Sequence, residues 1–273
     1  MSRKTVLIVK LVVLCVLFAL VSAVAWRVVV KGWGEMRIAN GSGELISSET
    51  YAAVDAVEVD IKSANVEVLP HNEDTVLVEI YRSGISMGPD PVSCLTGSTV
   101  HVTQALGIGI HLGGGKILIY VPADRVMDYS LQTISGTIAL QAPSKSALLH
   151  TVSGSVRATG GGASIDASTV SGSIRINAPY ETVVCKTTSG SIRTSADAAT
   201  QSITASSVSG SVRVRMDDVS GYRMRYSNVS GSVRDEYHDL RYEKKGESVW
   251  GDESLSLDLR STSGSIRLES WDD

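Results

Sequence analysis

The chain has 273 residues, 43% of them hydrophobic and 20% charged, with a formal net charge of −4. That composition excludes a disordered chain, and three cysteines exclude a disulfide scaffold. Aromatic residues make up 5%, and the one Phe, Phe18, lies in an N-terminal apolar run, so any core beyond it must be aliphatic. Twenty-five glycines and six prolines fit a turn-rich β protein.

The near-neutral total hides an uneven distribution. Residues 1–39 carry +5, residues 40–129 carry −8, residues 130–234 carry +5 and residues 235–273 carry −6. A basic middle therefore stands between acidic flanks. The pattern holds no basic helix, no zinc spacing and no RNA-binding aromatic motif, so no nucleic-acid partner is expected.

In chain order, residues 1–33 come first as a membrane address. Thr5 to Trp26 is apolar except for Lys10, and Ser2-Arg3-Lys4 precedes it. About 20 such residues span a hydrocarbon core of ~30 Å. Lys10 is close enough to the cytoplasmic end to snorkel, and Trp26 and Trp33 with Arg27 and Lys31 fit the far interface. A cleaved signal peptide, with Ala23-Val24-Ala25 as its processing site, is the rival reading. Both readings place the remainder outside the cytoplasm, on a cell-membrane anchor or secreted.

Residues 34–50 read as a juxtamembrane linker and residues 51–129 as an N-terminal β region that caps the repeats beyond it. Val57, Val59 and Ile61 alternate up to Ser63-Ala64-Asn65, then Val66 and Val68 resume. Val76-Val78-Ile80, Val100-Val102 and Ile117-Ile119-Val121 predict further strands.

Residues 130–268 contain a repeat. Ser-Gly pairs begin at Ser135, Ser153, Ser171, Ser189, Ser209, Ser230 and Ser263, spaced 18, 18, 18, 20, 21 and 33 residues apart, each in a variant of Thr-Val-Ser-Gly-Ser-Ile-Arg. Aligned on that Ser, the positions six and four before it and three after it are dominated by apolar residues, for example Ile165, Ala167 and Ile174 around Ser171. Spacing by two is the side-chain period of a strand. Each repeat thus predicts two short strands with one inward face and no room for a helix, and units this small must stack. The predicted fold is all-β, a β-solenoid of roughly 18-residue coils behind one transmembrane helix; a β-sandwich is the alternative. The Thr two residues before the Ser (Thr133, Thr151, Thr169, Thr187) predicts a ladder of stacked hydroxyls. Residues 235–253 read as an acidic insertion, with a hairpin around Lys244-Lys245-Gly246. The final unit would cap the stack, and residues 269–273 form an acidic tail that discourages further strand addition.

The Ala-Asn-Val strand at 64–66, the Ile-Tyr-Val-Pro segment at 119–122 and the serial Ser-Gly-Ser-Ile/Val-Arg units carry a resemblance. Over about residues 50–268 the chain resembles a bacterial adhesin-candidate family of unknown function, exported β-strand repeat proteins. The resemblance implies a β-helical fold, export or membrane anchoring, and a place among envelope proteins, some of which serve stress systems that respond to membrane-active antibiotics. It supplies no catalytic residues.

The candidate site is the column four residues after the Ser: Arg157, Arg175, Arg193, Arg213, Arg234 and Arg267, with Ala139 in the first repeat. Arginine grips phosphate and carboxylate through paired hydrogen bonds, so the column reads as a track for an anionic wall polymer, glycan or lipid headgroup. The plainer reading is a solvated face that keeps a sheet soluble. The outward Ser155, Ser173, Ser191, Ser211, Ser232 and Ser265 suit a tight polar turn or sugar hydroxyls. The scattered histidines, including His71, His101 and His150, give no metal spacing, and no cofactor is expected. Cys185 reads as a core residue and Cys94 as a loop residue, with a bridge between them left open. Asn40 and Asn228 stand in glycosylation-acceptor triplets. A β-helical lyase or hydrolase needs gathered carboxylates, whereas Asp166, Glu181 and Asp197 fall at different repeat positions. The sequence therefore predicts a non-enzymatic envelope module that binds or senses at the cell surface, with envelope polymers or envelope proteins as partners; a purely structural rod is the second class and a glycan-cleaving enzyme the third.

Overall fold

The computed structural model describes residues 37–87, 89–105, 110–112 and 114–270. The expected anchor at Thr5 to Trp26 lies outside the described residues. Among the described residues every regular element is a strand, as alternating aliphatic patterns with Gly-rich turns dictate. The strands form two sheets of 13 and 11 members.

Each repeat contributes one long strand to the 11-stranded sheet and one short strand to the 13-stranded sheet, with the Ser-Gly at the corner between them. For the Ser171 coil these are Gly162–Ser171 and Ile174–Ile176. Successive coils pair in parallel and in register, so Ile165 lies beside Val183 and Ile174 beside Ile192. The inward columns are fully buried and form a single continuous core. The parallel register establishes stacked coils rather than a sandwich.

The corner explains the repeated motif. The Ser-Gly glycine packs directly on the carbonyl of the glycine one coil earlier. A Cβ on Gly172 would stand 2.6 Å from the Gly154 carbonyl carbon, and nearer still to its oxygen. That carbonyl accepts a hydrogen bond of 3.0 Å from the Thr169 hydroxyl. Thr151 donates in the same way to Gly136 at 3.1 Å and Thr187 to Gly172 at 3.1 Å. The predicted Thr–Thr ladder is thus replaced by Thr-to-glycine bonds between coils. A buried carbonyl left at a corner needs a donor, and the hydroxyl of the next coil is the nearest one. Asn228 fills this position in its coil: it is 3% exposed, and its side-chain amide donates 2.6 Å to the Gly264 carbonyl. The acceptor triplet at 228 therefore marks a buried structural amide.

The order of coils in space departs from the order in sequence at both ends. The Ser63 coil (Ala56–Ile61 and Ala64–His71) lies inside, flanked by the Ser135 coil and by an outer coil made from Thr99–Thr103 and Gly115–Pro122. At the other end Leu255–Ser263 pairs with Ser202–Ser209 on one side and Gly221–Ser230 on the other. The last unit therefore does not cap the stack; it is the second rung from the end, and the Ser230 coil is outermost. Nine parallel coils are described, a stack on the order of 40 Å at ~4.8 Å per rung.

Antiparallel strands close both ends. Arg37–Ala52 pairs with Thr75–Met87, which pairs with Gly115–Pro122, so most of the stretch expected as a linker is an edge strand. Val92–Thr96 closes the other sheet. In the insertion, Leu240–Tyr242 joins the 13-stranded sheet and Lys245–Gly251 the 11-stranded one. These two segments run to different sheets instead of forming the predicted hairpin, and so cover both edges of the outermost coil. Asp235 anchors this cap. It occupies an inward column position with no exposure and accepts hydrogen bonds from the Tyr222 hydroxyl and from the His238 backbone N–H at 3.1 Å, with the His238 ring Nδ1 2.8 Å away. Trp250 and Tyr237 pack on that ring.

Candidate anion-binding face

Short strands three residues long, such as Val156–Ala158 and Ile174–Ile176, bury their first and third side chains and turn the middle one outward. The middle residue is the arginine of the repeat. Parallel in-register pairing aligns these residues as Arg157, Arg175, Arg193, Arg213, Arg267 and Arg234. All six predicted arginines thus share one column, and the intercalated last coil sets Arg267 between Arg213 and Arg234. Arg241 pairs opposite Arg234 on the capping strand and extends the column to seven. Sequence reasoning missed Arg241 because it lies in the insertion, outside the repeat template.

The column is not electrically uniform. Arg213 Nε lies 3.5 Å from Glu269, and Arg267 Nη1 lies 3.6 Å from Glu236. Both carboxylates stand two residues after a column arginine, a spacing that places them on the same strand face. Arg157, Arg175 and Arg193 have no carboxylate within ion-pair reach among the described residues. Arg157 and Arg175 are exposed and Arg193 is half-buried. Burial, then the adjacent Arg213, Arg215 and Arg175, lower the Arg193 pKa from its ordinary value, while Glu269 opposes the shift. Like charges at rung spacing repel, and an anion laid across them would relieve that repulsion. Ser173 and Ser191 join Arg175, Arg193 and Arg213 around an open depression of about 260 Å³.

The other candidates are placed apart from this face. Asp166 lies opposite Val184, not beside Glu181, and Asp197 is engaged in its own turn with Thr200. His101 pairs with Glu58 at 3.0 Å, His150 with Ser168 at 2.7 Å, and His71 contacts the Thr75 carbonyl at 2.6 Å. Cys94 and Cys185 are free thiols, the first exposed on an edge strand and the second buried in the core. Burial pushes the Cys185 thiol well above its ordinary pKa, as expected of a core residue.

Residues 145–269 match the Toastrack DUF4097 family model. No curated protein matches the chain. Among solved structures, a candidate adhesin from Bacteroides fragilis is 13% identical, with 82% of this chain and 97% of that one covered and a TM-score of 0.46. A candidate cell adhesion protein from Clostridium sporogenes is 9% identical, with 83% and 100% covered and a TM-score of 0.35. A candidate lipid binding protein from Parabacteroides distasonis is 12% identical, with 85% and 99% covered and a TM-score of 0.36. The matched stretch begins later than the expected resemblance and leaves the outer N-terminal coil and its edge strands outside it. From the coil that ends at Ser153 to the intercalated last rung, residues 145–269, the chain is similar to the Toastrack DUF4097 family.

Proposed function

We propose that this chain is a non-enzymatic, extracytoplasmic module, held at the cell membrane by Thr5 to Trp26, that binds an anionic polymer of the cell envelope along its arginine column. The observation that carries the reading is the run of three in-register arginines, Arg157, Arg175 and Arg193, without carboxylate partners among the described residues. Guanidinium groups in that state favour bidentate contact with phosphate or carboxylate. The names of the similar solved structures, adhesins and a lipid binding protein, are in keeping with a binding role. A structural role fits the other half of the column, where Glu269 and Glu236 already neutralise Arg213 and Arg267.

The test is equilibrium binding of the full chain in detergent to inorganic polyphosphate at low and high salt. The wild type should bind in a salt-sensitive manner, and Arg157→Ser, Arg175→Ser and Arg193→Ser together should weaken it at least tenfold. Unchanged binding in the triple variant, or none in the wild type, would refute the reading.

A further inference from the structure

The outer face of the 13-stranded sheet changes character along its length. The column position that holds arginine from Arg157 onward is Ala139 in the Ser135 coil and Glu67 in the Ser63 coil. With no long side chain there, Ala139 lies in an open depression of about 570 Å³. Its walls carry the amide and hydroxyl side chains of Asn65, Thr137, Gln141 and Thr159 beside the Glu67–Lys116 pair, with Arg157 at one end.

These walls are fixed in place. Lys116 Nζ lies 2.9 Å from Glu67 Oε2, and Gln141 Nε2 donates 3.0 Å to Glu67 Oε1. Asn65 Oδ1 accepts from the Thr137 backbone N–H at 2.8 Å. Glu67 and Lys116 cancel, so the depression is polar yet, apart from Arg157, without net charge. The next depression on this face, lined by Ser173, Ser191, Arg175, Arg193 and Arg213, keeps a net positive charge from Arg175 and Arg193 even with Glu269 beside Arg213. The Ala139, Arg157 and Arg175 rungs succeed one another at ~4.8 Å. A neutral polar seat and an anion seat therefore adjoin on one surface.

A bare polyanion would use only the arginines, Arg157 included. A chain that alternates phosphodiesters with uncharged hydroxyl-bearing units would use both seats, since hydroxyls find donors and acceptors among the amides at the first. Resting on the anion-binding reading above, we propose that this face recognises a polyol- or sugar-phosphodiester polymer, with an uncharged hydroxyl-bearing unit over Ala139 and the adjoining phosphates on Arg157, Arg175 and Arg193.

The test compares poly(glycerol phosphate) with inorganic polyphosphate of matched charge, binding to the full chain in detergent. Ala139→Trp fills the depression from the outward side of its strand. It should weaken poly(glycerol phosphate) at least tenfold and leave polyphosphate within twofold. Gln141→Ala, at an exposed position, should weaken poly(glycerol phosphate) about threefold with the same selectivity, and guards against a folding defect in the Trp variant. Equal loss of both polymers, or loss of neither, in both variants would overturn the inference while leaving the arginine reading standing. Failure of the wild type to bind either polymer would overturn both.

Discussion

Gly172→Ala tests the stacking of the corners directly. The added methyl carbon would stand 2.6 Å from the Gly154 carbonyl carbon and 3.2 Å from the Thr169 hydroxyl. The obstacle is backbone, and ordinary contact needs a separation of about 3.5 Å or more, so the Ser153 and Ser171 coils must part locally by roughly 1 Å. Three bonds cross that gap at the corner: Gly154 N–H to Ser171 O at 3.1 Å, Val156 N–H to Ser173 O at 3.0 Å, and the Thr169 hydroxyl to Gly154 O at 3.0 Å. At about 1 kcal/mol each, their loss amounts to about 3 kcal/mol, before any strain is added. Domains of ordinary stability have roughly 5–15 kcal/mol in hand, so the variant should fold but unfold at distinctly lower denaturant. Gly114→Ala is the control, since a Cβ there meets nothing within 4 Å. Urea unfolding followed by circular dichroism reads both. A Gly172→Ala midpoint equal to that of Gly114→Ala would refute the packing argument.

The same contacts set other outcomes. Thr169→Val keeps the shape but leaves the Gly154 carbonyl without its donor, and should cost about 1–3 kcal/mol in the same unfolding measurement, with Thr169→Ser recovering part of it. Tyr129→Phe should be neutral or slightly stabilising at pH 8, because the buried Tyr129 hydroxyl has no hydrogen-bond partner. Burial, chiefly, holds the Tyr129, Tyr180 and Tyr222 phenols above their ordinary pKa of 10. Above pH 10 the unfolded chain releases these protons and the folded chain keeps them, so stability should be intact below pH 10 and fall beyond it. Urea midpoints at pH 8 and pH 10.5 should show that fall, and a smaller one in Tyr129→Phe.

Much of the fold was legible because the repeat states its register openly. Aligning the chain on Ser135 through Ser263 placed Ile165, Ala167 and Ile174 in the core columns and the six arginines in one outward column, and the strands bear this out. A repeat says which residues are equivalent, however, and not which coils are neighbours. Any coil with the same columns can pair with any other, so the 33-residue spacing before Ser263 looked like a terminal cap. The antiparallel capping strands of the insertion instead occupy the outer edges beside Gly221–Ser230 and Val233–Asp235, and the last unit fills the rung between the Ser209 and Ser230 coils. The Thr column was recognised, but its acceptor was not, because the Gly carbonyl becomes available only when corners stack. At the candidate site, the arginines were found and their neutralisation was missed. Glu269 reaches Arg213 only because the intercalated order sets the last coil beside the Ser209 coil, whereas Glu236 reaches Arg267 across coils that are also consecutive in sequence.

Coil order is the claim on which the arrangement of the arginines depends, and cysteine cross-linking measures it. In a chain whose native cysteines are replaced, Thr204→Cys with Asp258→Cys sets thiols on register partners in adjacent rungs. Thr204→Cys with Arg225→Cys sets them on either side of the Asp258 rung, roughly 10 Å apart at the backbone and beyond the ~7 Å limit for a disulfide. Mild oxidation should close the first pair and leave the second open. Closure of the second pair with the first remaining reduced would mean that the coils stack in sequence order, and would contradict the fold described.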